Sequence, residues 1–132
     1  MMAADSGATI LETKDDSPKI PGKKKTKFDI IIIGAGPSGY TAGIYCSRSG
    51  YDTLILSGIL PGGQLVNTTE VENYPGFEKG IMGPDLMIEM RKQTQRMGTT
   101  IIDDEVVDVD FRHPPFKVLT GSEEYEGRAV II

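Results

Sequence analysis

Residues Ile30 to Gly43 read IIIIGAGPSGYTAG, and the reading of this stretch decides the fold. With Phe28 and Asp29 ahead of them, the four isoleucines make a β-branched run bounded by Gly34. That is the form of a strand buried on both faces of a parallel sheet. The segment PSGYTAGIYCSRSG that follows predicts a helix, because proline is tolerated in a first turn and Gly50 can supply the C-terminal stop. YDTLILS then predicts a second strand. Together these segments predict a β–α–β unit with parallel strands joined by a right-handed crossover.

Gly34, Gly36 and Gly39 within this stretch form GxGxxG, after a strand and opening a helix, which is the context that spacing needs to bind a dinucleotide. Gly34 permits the tight turn, Gly36 lets the backbone approach a pyrophosphate, and Gly39 lets helix and strand pack closely. Gly43, one helical turn on, extends that packing. The exposed N–H groups and the positive end of the helix dipole would meet the phosphate charge. The competing reading is a glycine-rich turn with a purely structural role. One element of the pattern is missing. An acid is expected at the end of the second strand to take a ribose hydroxyl, and this chain has Ser57, followed by GILPGGQL. The adenosine contact is therefore expected from Ser57 and the backbone after it, with Gly58, Gly62 and Gly63 allowing close approach.

Beyond the second strand, GPDLMIEMRKQTQRMG predicts another helix, with Pro84 near its start, Leu86, Met90 and Met97 on one face, and Gly98 as its cap. TTIID, VVDVDF, FKVLT and AVII read as short strands. The alternation in VVDVDF and the TGSEE turn predict an antiparallel segment facing solvent. Residues 1–27 mix Asp, Ser, Gly and Lys with Pro18 and Pro21 and lack a hydrophobic period, so a disordered tail is expected there. The organised domain is expected over 28–132.

Charge and composition exclude several function classes. The tail holds six lysines against four acids, and residues 28–132 hold eight basic residues against fifteen acids. An acidic domain without a basic stripe does not suit nucleic acid. No window approaches the roughly 18 uninterrupted apolar residues of a membrane-spanning helix. The tail has no apolar core of a secretory signal, and its acids Asp5, Glu12, Asp15 and Asp16 argue against a transit peptide, so the cytoplasm is the expected location. The lysines at 23, 24, 25 and 27 read as part of a solvated tether. Single residues of cysteine and histidine, Cys46 and His113, cannot make an internal disulfide or a metal site alone. Cys46 is expected to behave as a small buried apolar residue of the first helix, and His113 as an exposed loop residue.

The combination GAGPSGYTAGIY, PGGQL, TTEVENYPGF and GPDLM resembles the low-molecular-weight thioredoxin reductases, which are pyridine nucleotide–disulfide oxidoreductases carrying FAD. The likeness runs from Phe28 to Ile132, and members of that family commonly lack the acid at the second strand end. The resemblance implies an α/β fold: a Rossmann-like FAD-binding domain of ββα type in three layers, with a parallel central sheet and a small antiparallel segment. It further implies that Ala35, Gly36, Pro37 and Ser38 lie against the FAD pyrophosphate, and that Ser57 to Gln64 wrap the adenosine side, with Gln64 reaching inward. Asn73 would lie near the flavin, and Val106 would contact the adenine through its backbone. Gln64 and Asn73 are uncharged donor–acceptors suited to orienting a flavin. Thr68, Thr69 and Asn73, interleaved with Val71 and Tyr74, read as a loop folded onto a ligand; the alternative is an ordinary surface loop.

The resemblance also implies a homodimeric parent enzyme that passes hydride from NADPH through FAD to a dithiol and on to thioredoxin. Such an enzyme needs a CxxC pair and a nicotinamide domain, and this sequence holds one cysteine and no second GxGxxG. The chain is therefore expected to be an incomplete FAD domain, inactive by itself. The alternatives are a stand-alone nucleotide-binding or interaction module, and a piece of a related flavin reductase such as a ferredoxin–NADP reductase, against which TTEVENYPGF speaks.

Overall fold

The computed structural model describes residues 24–132; most of the expected tail lies outside these residues. Strand β1 spans Lys27–Ile33, helix α1 Pro37–Arg48 and strand β2 Thr53–Leu56. Lys27, placed with the tail on sequence, thus opens the first strand and faces Glu126 across the sheet. After a 3-10 helix over Gly63–Asn67 come two short strands, β3 (Glu70–Val71) and β4 (Ile81–Met82), then α2 (Gly83–Arg96). Strands β5 (Thr100–Ile102), β6 (Val106–Asp110), β7 (Phe116–Thr120) and β8 (Glu124–Ile131) complete the chain.

Six strands form one sheet in the order β5-β2-β1-β8-β7-β6. The first four are parallel, with β1 between β2 and β8; β7 is antiparallel to both β8 and β6. The isoleucine run occupies the centre because it is apolar on both sides. Ile32 belongs to the cluster beneath the helices, with Tyr40, Ile55, Leu86, Met87 and Met90. Ile31 belongs to the cluster on the other face, with Phe28, Leu54, Leu56, Val118 and Tyr125.

The short link between β5 and β6 gives the sheet its three-layer form. Only residues 103–105 separate these strands, and four peptide steps reach at most about 14 Å. In a flat six-stranded sheet the two outermost strands would stand roughly 24 Å apart. The sheet must therefore curl, and the antiparallel strands cover the face opposite the helices with Val118 and Tyr125. A hydrogen bond from Ser122 Oγ to Asp104 Oδ2, 2.7 Å, ties the β7–β8 turn to that link.

Both helices sit on the first face and pack on each other. Gly43 makes the approach possible: a Cβ there would lie 2.8 Å from Ile55 Cδ1 and 3.0 Å from Thr94 Cγ2. The α2 residues Gly83, Leu86, Met87, Met90 and Thr94 are buried, at the spacing of three and four that makes one helical face. Met97, expected on that face, lies past the end of the helix and is half-buried. Gly50 and Gly98 follow α1 and α2 with φ of 86° and 101°, the left-handed stop that glycine adopts without a Cβ clash.

Before β1, the lysines that can be described are exposed, with their ammonium groups near the sheet. Lys25 Nζ pairs with Asp52 and lies 5.0 Å from the Phe28 ring, and Lys24 Nζ lies 5.7 Å from the Tyr125 ring. Lys23 lies outside the described residues.

Candidate nucleotide-binding site

The GAGPSG turn joins the carboxyl end of β1 to the first turn of α1, the place where open α/β sheets hold their ligands. Gly34 has φ 109° and donates its N–H to Leu56 O at 2.9 Å, which sets the turn beside the end of β2. A Cβ on Gly39 would collide with the Gly34 carbonyl oxygen, so the third glycine is dictated by the turn closing on the helix. Gly36 differs. It has an ordinary φ of −80°, and a Cβ there would meet no atom within 4 Å. The space before Gly36 is open, as a site for an external group requires.

No side chain caps the N-terminus of α1, and its first turn carries no acid. Tyr40 N bonds back to Gly36 O at 3.0 Å. The N–H groups ahead of it have no partner within the helix, and the dipole end favours an anion there. Gly34, Gly36, Ser38 and Gly39 line a crevice of about 120 Å³ with Ile32, Ile33, Ile131 and Ile132. Pockets that enclose a whole small ligand run to roughly 300–1,000 Å³. This crevice matches a phosphate-sized portion of one.

The PGGQL loop is fastened to the same turn. Gly62, φ 109°, donates to Ala35 O at 2.9 Å, and a Cβ on Gly63 would lie 3.2 Å from Gly36 Cα. Here glycine is needed for both the backbone angle and the approach of two backbones. Gln64 is exposed and lines a second crevice with Leu60, Pro61, Gly63, Val66 and Asn67. Pro37 opens the helix as expected, and Ser38 is exposed at its second position.

Ser57 is buried at the end of β2, and its hydroxyl has a partner that the sequence did not reveal. It donates to Asp103 Oδ1 at 2.6 Å, with Gly58 O and Ile102 O farther off at 3.2 and 3.3 Å. Arg91 of α2 grips the same carboxylate with both terminal nitrogens, 2.8 and 2.9 Å from Oδ1 and Oδ2. The guanidinium and, after it, the Ser57 hydroxyl hold the Asp103 carboxyl below its ordinary range, against a desolvation that would raise it. A carboxylate thus stands beside Ser57 from the neighbouring strand, at the end of β5. Gly58, φ 77°, donates to Asp104 O at 3.1 Å. Val106 opens β6 two residues later, half-buried against the second cluster.

Asn73 is exposed in the loop between β3 and β4. That loop folds mainly onto protein: Val71 is buried in the helix-side cluster, with Tyr74 and Phe77 packed against it. Its interleaved apolar residues therefore report core packing. Cys46 is half-buried rather than buried, and desolvation pushes its thiol pKa up, away from the reactive thiolate. His113 is exposed. No group of three or more metal-ligating side chains exists among the described residues, and none of their helices is long and apolar enough to cross a membrane.

Comparison with known proteins gives a consistent result. The model of the family described as pyridine nucleotide-disulphide oxidoreductase matches residues 28–132. A thioredoxin reductase of Rickettsia bellii is 50% identical over 109 residues, covering 82% of this chain and 35% of that protein. The solved thioredoxin reductase of Giardia duodenalis superposes with a TM-score of 0.76 at 36% identity, covering 80% of this chain and 35% of that one. A ferredoxin-flavin thioredoxin reductase from Clostridium acetobutylicum superposes at 0.68 with 26% identity, over 79% of this chain and 36% of that one. The chain thus spans about a third of the length of the relatives it matches.

Proposed function

This chain belongs to the pyridine nucleotide-disulphide oxidoreductase family, and we propose that its glycine turn holds the pyrophosphate of FAD within a thioredoxin reductase-like enzyme. The observation that carries the reading is the pairing of Gly39 with Gly36. Gly39 is required by the protein's own backbone, whereas Gly36 borders open space beside an uncapped helix N-terminus. A purely structural turn has no reason to keep the second position bare.

In this reading the backbone of Gly34, Ala35, Gly36, Ser38 and Gly39 faces the pyrophosphate, with Pro37 fixing the start of the helix. Ser57, Gly58, Gly62, Gly63 and Gln64 border the adenosine side. The Val106 backbone meets the adenine, and Asn73 lies toward the flavin. When bound, FAD supplies a two-electron acceptor for hydride; the described residues bind and orient it. The donor is NADPH and the final acceptor is thioredoxin, reached through a dithiol outside this chain. The likeness to thioredoxin reductases supports the reductase class, and the likeness to the Clostridium ferredoxin-flavin thioredoxin reductase supports the cofactor. The parent enzyme is a cytoplasmic homodimer.

Because this crevice borders only part of such a ligand, FAD should bind weakly to the 132-residue chain. Each absent hydrogen bond to a buried or charged group weakens binding by about 1.5–3 kcal/mol. Titration by flavin fluorescence should give a micromolar or weaker Kd, and the purified protein should be colourless. Absence of binding at millimolar FAD would contradict the assignment; a yellow protein with stoichiometric flavin after gel filtration would contradict the partial site.

A further inference from the structure

We propose that Asp103 and Arg91 determine which adenosine ribose this site accepts, admitting a free 2′-hydroxyl and refusing a 2′-phosphate. The inference deepens the nucleotide reading above and rests on it. Strands β2 and β5 are parallel neighbours, with Leu56 opposite Ile102, so Ser57 and Asp103 emerge side by side at their carboxyl ends. The Gly34 N–H bond to Leu56 O puts the phosphate turn next to them. In a dinucleotide site of this kind the ribose of the adenosine half lies at the end of the second strand.

A hydroxyl has one proton. At 2.6 Å the Asp103 carboxylate is the shortest and the only charged acceptor for that of Ser57, and a charge-assisted bond prevails over a neutral carbonyl. Ser57 Oγ is left with lone pairs only. The carboxylate has about four acceptor positions. Ser57 and the two Arg91 nitrogens occupy three, leaving one on Oδ2 of a side chain that is 47% exposed. A ribose hydroxyl can donate to either group. A phosphate dianion has nothing to donate and would meet a carboxylate. Arg91 is the cation that could recognise a phosphate there, but its fork is closed on Asp103. The same ion pair that orients Ser57 thereby withholds the arginine.

The test compares ADP-ribose with its 2′-phosphorylated form on the 132-residue chain by isothermal titration calorimetry. The two ligands differ only in the phosphate, so partial unfolding of a variant cancels from the ratio of their affinities. Wild type should favour ADP-ribose by about tenfold or more, the factor that about 1.4 kcal/mol of lost interaction produces. Asp103→Ala, which frees both Arg91 and the Ser57 proton, should bring the ratio to near one or reverse it. Adding Arg91→Met should remove the gained affinity for the 2′-phosphate, an effect that a merely structural ion pair would not produce. Should Asp103→Ala fail to fold, Asp103→Asn keeps the shape, removes the charge, and should move the ratio in the same direction. An unchanged ratio in the Asp103 variant, or a gain that survives Arg91→Met, overturns this inference while leaving the nucleotide site standing. Failure of wild type to bind either ligand or FAD overturns both.

Discussion

Gly36 and Gly39 are three residues apart and chemically identical, yet they answer to different constraints. A methyl at Gly39 meets the Gly34 carbonyl; a methyl at Gly36 meets nothing. Gly39→Ala should therefore destabilise the chain by about 3 kcal/mol or more, the upper range for overpacking against backbone. Gly36→Ala should change stability by less than about 0.5 kcal/mol, as surface substitutions do. Urea midpoints of the two variants check this, and equal losses would contradict the open crevice. The sequence motif assigned the two glycines these different tasks, approach to phosphate and close packing, but not the atom that each would meet, such as the Gly34 carbonyl. Ser57 was legible in the same limited way. Its place at the strand end follows from YDTLILS, but its hydroxyl partner, 46 residues on, does not.

Among the elements, β1, α1, β2 and α2 were legible because each carries its own local signals: the isoleucine run, Pro37, Gly50, Pro84 and Gly98. Their stops follow the glycines to within two residues of the observed ends. The β3–β4 pair was not legible. Glu70–Val71 and Ile81–Met82 are too short for any period, and the loop between them looked like a ligand cover. Also hidden was the clasp of three elements by Arg91, Asp103 and Ser57, since nothing in local sequence tells α2 which strand end it will reach. That clasp has a pH signature. The folded Asp103 carboxyl titrates below its ordinary value of 3.8, so its contribution is present above that value and is lost as pH falls through the lowered one. Asp103→Asn should lower the urea midpoint at pH 6 yet leave a flatter decline below pH 4 than wild type shows. Parallel acid limbs for the two proteins would mean that the pair contributes nothing to acid stability.

At the scale of the whole molecule, the curl of the sheet turns a list of strands into a site. The link 103–105 carries the chain from the outer edge of the parallel strands onto the opposite face, and in doing so leaves Asp103 beside Ser57 and Asp104 beside Ser122. The antiparallel segment was legible in the residues and the three layers through the family resemblance, whereas the curl that joins them follows from loop length only once the strand order is known. The molecule also carries a single cysteine, half-buried, whereas reducing a disulfide by exchange takes two thiols. The purified chain with NADPH and FAD should therefore turn over a dithiol-reporting dye no faster than a protein-free control. Turnover above that control would contradict the assignment of the dithiol to protein outside this chain.

Whether the GAGPSG turn binds the pyrophosphate of FAD is tested by an FAD titration of wild type, Gly36→Val and Cys46→Ala. Far-UV circular dichroism verifies that each is folded. A branched side chain at position 36 enters the space where the turn would meet phosphate, and its Cβ meets no protein atom within 4 Å. Cys46 lies nine residues along α1 from Pro37, about 13 Å from the crevice end at 1.5 Å per residue. Gly36→Val should lose FAD binding while keeping its fold, and Cys46→Ala should bind as wild type does. Wild-type affinity in Gly36→Val would show that the turn is only structural.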